Sequence, residues 1–264
     1  MRISRLYLLL FVLCAGLSAE LVRAEETTIA VAANFLNASR ALASAFETAT
    51  SHQVAIVSGS TGLLYAQIIN GAPVDLLLAA DQERPRLLSE NGLGDPASVV
   101  TYATGRLALW SGHEGRIGEN ALANLIKDEF RWFAIAEPEV APYGTAARQA
   151  LENLGVWQSI APRMVKGQNV AQTFAMIETG NAELGLVALS QVLAYEGPAS
   201  YQIVSAGLYD PIRQDVVLLK RAVENSAALE FLAFLKTPAA LVIMASYGYS
   251  APDQTVESPA QAIQ

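Results

Sequence analysis

The chain has 264 residues, a formal net charge of -8, and 52% hydrophobic against 16% charged residues. That length and apolar content can bury one large core or two small ones, and they exclude a disordered chain. An acidic chain lacks the Lys/Arg patches that nucleic acid or an anionic membrane requires, so no nucleic-acid partner is expected.

Residues 1–24 read as a signal peptide. Arg2 and Arg5 form a positive start, and the apolar run from Tyr7 to Leu17 is too short to span a bilayer. Cleavage is expected after Ala24, with Ala19 as the rival position, which makes the mature protein periplasmic and soluble. The single cysteine, Cys14, lies inside this segment, and the bulky Leu13 before it argues against a lipid anchor. The mature chain then has no disulfide, thiolate metal site or cysteine nucleophile. Losing three arginines and one glutamate brings its formal charge near -10.

Beyond the leader, short apolar runs alternate with helical patterns. Thr28–Ala33 predicts a buried strand, Leu36–Thr48 a helix with Leu36, Leu42, Ala43 and Phe46 on one face, and Val54–Val57 a second strand. Leu63–Asn70 predicts a helix closed by Gly71, Val74–Ala79 a strand, and Glu83–Asn91 a helix ended by Gly92. Farther on, strands are expected at 106–110, 132–136, 184–189 and 216–219. Helices are expected at 121–126, 145–154, 170–179, 227–236 and 239–246, before a polar tail from Pro252. The alternation points to α/β architecture with parallel strands.

Four loops open helices near strand ends: Ala33-Asn34-Phe35, Gly59-Ser60-Thr61-Gly62, Ala141-Pro142-Tyr143-Gly144-Thr145 and Gln168-Asn169-Val170-Ala171. Helix N-termini offer unpaired N–H groups and partial positive charge, and so bind anions. Taken singly, Asn34, Ser60 and Thr61 read first as ordinary N-caps. None of the four segments contains Lys or Arg. The nearest in sequence are Arg148 and Lys166.

Val31-Ala32-Ala33-Asn34-Phe35, Ser58-Gly59-Ser60-Thr61-Gly62 with Gln67-Ile68, Asn70 to Asp75 with Ala80-Asp81, Pro138 with Ala141 to Gly144, and Asn169-Val170 occur in an order and spacing that resemble the molybdate-binding proteins of molybdate ABC importers. The likeness runs on to Lys236-Thr237-Pro238-Ala239 and Tyr247-Gly248-Tyr249. It implies a two-lobed periplasmic-binding-protein fold of type II, with the ligand in the cleft between lobes. Because the strand at 216–219 returns after the central segment, one lobe is expected from residues 25–104 plus 212–264 and the other from 105–211. The resemblance also implies the ligand, molybdate or tungstate, with molybdenum entering only as the oxyanion and no cofactor. The implied partner is a membrane permease, and the protein is expected to be a monomer.

Carried over by position, the ligand donors fall on Asn34, Ala33, Ser60, Thr61, Tyr143 and Val170. Ala33 and Val170 act through the backbone alone, and Asn34 and Tyr143 through side chains or only N–H groups. Asn34 stands where many relatives carry serine, and Ala188 where one branch supplies a tyrosine hydroxyl. Asp75 and Asp81 are expected to be structural, since a carboxylate would repel a bound dianion. His52 and His113 are expected at the surface, and Trp110, Trp132 and Trp157 in the core or at a lobe edge. Rival readings are a carrier of sulfate, phosphate or an organic anion, a regulator's sensor domain, and a secreted hydrolase. The last has little raw material: Gly59–Gly62 lacks Gly-x-Ser-x-Gly spacing, no Walker motif occurs, and only two histidines are present.

Overall fold

The computed structural model describes residues 24–127 and 129–251. The leader with Cys14, nearly all of residues 1–24, and the tail from Pro252 lie outside the described residues. The strands, in chain order, are β1 (Glu26–Ala32), β2 (Gln53–Gly59), β3 (Leu76–Leu78), β4 (Val100–Gly105), β5 (Leu107–Ser111), β6 (Phe133–Ala136), β7 (Met164–Gly167), β8 (Leu184–Ala188), β9 (Ser200–Ile203) and β10 (Ile212–Leu218). They form two five-stranded sheets, ordered β2-β1-β3-β10-β4 and β7-β6-β8-β5-β9.

Both sheets are mixed, which corrects the expectation of parallel strands. β1 runs parallel to β2 and β3, and β6 parallel to β7 and β8. β10 is antiparallel to β3 and β4, and β5 to β8 and β9. The reversal arises where the chain passes between sheets. β4 leads into β5 through Arg106 alone, and β10 re-enters the first sheet beside β4. A strand arriving from the other sheet is not bound by the helical crossover that enforces parallel pairing.

Apolar periodicity explains most elements. The helix Leu36–Ala49 buries Leu42, Ala43 and Phe46 as its pattern requires. Ile29, Val31, Phe35, Leu76 and Leu78 meet Val216, Phe231 and Met244, so the C-terminal helices Ser226–Phe234 and Pro238–Ser246 close the core of the first sheet. The second core gathers Leu109, Trp110, Phe133, Ala147 and Leu186. Trp110 stacks on Phe174 at 4.0 Å, while Trp132 and Trp157 are half-buried beneath Arg131 and Arg148. No single helix among the described residues is long and apolar enough to cross a membrane.

Two further expectations change. Residues 121–126 form turns with one 3-10 turn at Leu125–Lys127 rather than a helix. Asn124 turns its amide onto the Asn120 carbonyl, and the Leu122 N–H donates to Gln202 Oε1 on the distant strand β9, so side chains compete with the helical backbone bonds here. His52 is fully buried, not at the surface. Its ring packs on Phe46 at 6.0 Å and Nδ1 accepts the Glu25 N–H at 3.1 Å. It thereby anchors the start of β1. His113 is exposed.

Gly185 pairs with Ala134 between β8 and β6, and a Cβ there would overlap the Ala134 carbonyl. Gly185→Ala is therefore expected to cost about 3 kcal/mol, read as a drop in Tm of roughly 6–12 °C by calorimetry.

Candidate anion-binding site

Strands β1, β2, β6 and β7 each end in a loop that starts a helix or helical turn, and these starts converge between the sheets. The six residues singled out from the sequence, Ala33, Asn34, Ser60, Thr61, Tyr143 and Val170, line one small cavity there. Ala32, Ala80, Ala141, Pro142 and Asn169 complete its wall. The cavity is small, about 10 Å³.

Each start leaves particular donors unclaimed. In the helix Val170–Glu178, Asn169 Oδ1 accepts the N–H groups of Ala171 and Gln172, both at 3.0 Å, and the Asn169 carbonyl takes that of Thr173. Only the Val170 N–H of that first turn remains. In the helix Pro142–Asn153, Pro142 has no N–H, and Gly144 and Thr145 donate back to the Ala141 carbonyl. Tyr143 supplies the free N–H. In the helix Thr61–Ile69, Gly62 donates to the Val140 carbonyl and Leu64 to that of Ser60. The Thr61 N–H keeps no partner among the described residues. The 3-10 turn Ala33–Phe35 adds its opening N–H groups.

The side chains sharpen this set. Thr61 Oγ1 accepts the Ala80 N–H at 3.0 Å, which leaves its own proton to donate. Ser60 is the N-cap residue, yet its hydroxyl makes no cap bond. It is 3% exposed and Oγ has no partner among the described residues. An ordinary N-cap reading therefore does not describe Ser60 or Thr61. Asn34 can offer the cavity only its backbone, because its side-chain amide is spent elsewhere, whereas the buried Tyr143 hydroxyl has no partner among the described residues. Asn34 Nδ2 donates to Gln214 Oε1 and to the Tyr249 hydroxyl, both at 3.0 Å. The Tyr143 hydroxyl lies against Gly105 and Gln214, where a Cβ at 105 would collide with it.

No charged residue is among those lining the cavity. Lys166 and Arg148, the nearest cations in sequence, are bound at the surface to Glu137 (3.1 Å) and Glu152 (2.8 Å). Asp75 Oδ2 accepts the Thr28 N–H and Asp81 pairs with Arg84, so neither carboxylate lines the cavity. Positive potential comes from three helix N-termini, and their donors need no counter-charge.

Behind the wall lies a buried network that sequence reasoning missed. The Asn34 carbonyl lies 2.8 Å from both Ser190 Oγ and the Tyr249 hydroxyl, and the Tyr102 hydroxyl lies 3.0 Å from both the Ala79 carbonyl and Gln214 Oε1. Gln191 donates to the Val170 carbonyl and accepts the Ala188 N–H, bracing the peptide next to the free Val170 N–H. Burial pushes the hydroxyls of Tyr102, Tyr143 and Tyr249 well above the usual tyrosine range, so all three stay protonated donors. Gln214 and Ser190 lie far from the cleft loops in sequence, and no local pattern marks them.

A family profile described as bacterial extracellular solute-binding protein matches residues 27–250. The chain is 42% identical over 226 residues to the molybdate-binding protein ModA of Rhodobacter capsulatus, covering 86% of this chain and 88% of that one. It is 42% identical over 244 residues to the Azotobacter vinelandii protein of the same name, covering 91% and 96%. The solved structure of the Azotobacter vinelandii periplasmic molybdate-binding protein superimposes with a TM-score of 0.82 at 36% identity, over 86% of this chain and 99% of that one. The sulfate-binding protein SubI of Mycobacterium tuberculosis H37Rv shares the fold, with a TM-score of 0.70 at 14% identity over 88% of each chain.

Removing one network hydroxyl, Tyr249→Phe, is expected to cost about 1–2 kcal/mol, since an Asn34 N–H loses its acceptor. Thermal melts over pH 8–11 carry a second signature. Unfolded tyrosines ionise near pH ~10 while the buried ones do not. Stability is full below that pH and falls as pH rises past it, and Tyr249→Phe should flatten the fall.

Proposed function

Because the chain belongs to the bacterial extracellular solute-binding protein family, we propose that it is the periplasmic capture component of a molybdate ABC importer. In this reading Asn34, Ala33, Ser60, Thr61, Tyr143 and Val170 hold one molybdate or tungstate ion. The observation that carries it is the Ser60 hydroxyl, buried and unpartnered at a cavity wall where free helix-terminal N–H groups converge. Such donors are costly to leave unmet, and an oxyanion meets them together.

The lobes in this proposal are residues 25–104 plus 212–264 and residues 105–211, hinged where β4 passes into β5 and where β9 leads to β10. Hinge closure would bring donors from both lobes onto the ion, and opening would release it with no ion pair to break. The partner is a membrane permease that receives the ion, and the leader directs the chain to the periplasm. A carrier rather than an enzyme fits the lining, where Ser60 and Thr61 have no histidine or carboxylate beside them to act as a base. Selectivity would follow from size. A cage set for molybdate or tungstate leaves the smaller sulfate short of some donors, at roughly 1–3 kcal/mol for each one unmet.

Calorimetric titration of the mature protein with molybdate, tungstate, sulfate and phosphate tests this. Molybdate and tungstate should bind more than about tenfold tighter than sulfate. Sulfate within that margin would favour a general oxyanion carrier. Ser60→Ala should weaken molybdate by about ten- to a hundredfold, the loss of one charge-assisted hydrogen bond, while the empty protein melts no lower. Lys166→Gln should leave the Kd nearly unchanged, and the wild-type Kd should move little between low and moderate salt. A steep salt dependence would place a cation in the cleft and overturn the neutral cage.

A further inference from the structure

Beyond the donors assigned to the ion, one contact joins the two halves of the cleft without involving any ligand atom. The Gly62 N–H donates to the Val140 carbonyl at 3.0 Å. Gly62 follows β2, and Val140 follows β6. β2 is the edge strand farthest from β4 and β10, and β6 is separated from β5 by β8. The contact therefore joins the halves at elements other than the strands that carry the chain between sheets, and a hinged opening would break it.

Gly62 has an ordinary helical backbone, not a positive φ, so its dihedral angles do not require glycine. The space does. A Cβ at 62 would stand 3.0 Å from the Val140 carbonyl oxygen, 3.1 Å from its Cα and 3.3 Å from its Cβ. All three atoms belong to one residue of the opposite half, and two of them are backbone. Within its own helix, alanine at this position would be favoured over glycine. The glycine thus serves the closed cleft and not the helix that holds it.

We propose that Gly62 and Val140 form a clasp that favours the closed cleft whether or not an ion is present, and that Gly62 sets ligand affinity through closure rather than by touching the ligand. The proposal rests on the two-lobed capture reading above. A clasp of this kind acts on every ligand alike, because the apparent Kd is the intrinsic value divided by the closed fraction. The bond also has to break for release, so it lengthens residence.

The test is Gly62→Ala in the full mature protein. Affinity for molybdate and for tungstate should fall by the same factor, between about three- and thirtyfold, from loss of one hydrogen bond and close contact in the closed form alone. The variant should release the ion faster, with a higher koff by stopped-flow fluorescence. The empty variant should melt no lower than wild type, and by helix propensity about 2 °C higher. Its radius of gyration from small-angle scattering, without ligand, should exceed that of the empty wild type. Unchanged affinity, unequal losses for the two ions, a lower melting temperature in the empty variant, or an unchanged empty radius would each overturn the clasp. Unequal losses would mean that the substitution disturbs Thr61 next to it. If the wild type binds neither ion, the oxyanion reading fails, and the empty radii alone decide the clasp.

Discussion

A buried hydroxyl and several buried N–H groups without protein acceptors are expensive to assemble, and the arrangement of this molecule follows from keeping them available. Alternative acceptors are placed so that neighbours are satisfied and these donors are not. Asn169 takes the N–H groups of Ala171 and Gln172 but not that of Val170. Ala141 takes those of Gly144 and Thr145 but not that of Tyr143. Thr61 spends its oxygen on Ala80 and keeps its proton. Each loop satisfies its own turn and leaves its first donor at the cavity.

Rigidity behind the cavity makes that economy possible. Asn34 carries two tasks at once: its peptide lines the cavity, and its side-chain amide is spent on Gln214 and Tyr249. A serine at the same position could not bridge both partners, since it has a single proton to donate. The tip of the Tyr143 side chain lies close against Gly105, at the end of β4, while the residue also lines the cavity. Buried networks of this kind hold donor geometry because every member has few other choices of partner.

The electrostatic balance explains how an acidic protein can offer an anion site. The cations nearest the cavity in sequence are kept at the surface, where Glu137 holds Lys166 and Glu152 holds Arg148. In the proposed reading, long-range attraction of a dianion is weak, and binding rests on short-range dipoles that act only when the cleft is closed. Capture and release would then be questions of lobe geometry, with leverage for contacts such as Gly62 with Val140 that an ion-paired site would not grant them.

Much of the molecule was legible in residue order. Alternating apolar runs marked seven of the ten strands and nearly all the helices, and the four helix-opening loops identified all six proposed donors, because N-terminal chemistry is local. β4, β7 and β9 escaped because their alternation is short or polar, as in Met164-Val165-Lys166-Gly167, and their pairing partners stabilise them rather than their own pattern. The turn at 121–126 escaped because side-chain bonds from Asn124 and Gln202 outweighed a helical apolar spacing. His52 looked solvated beside Ser51 and Gln53, yet folding buries it against Phe46. Only the tertiary structure decided that the Asn34 side chain is spent behind the cavity, that Ser60 is left unpartnered, and that Gly62 faces Val140. Those outcomes depend on residues such as Gln214 and Tyr249, some 180 and 215 positions from Asn34. Periodicity carries information about neighbours along a helix or strand, and it carries none about which distant side chain will claim a given donor.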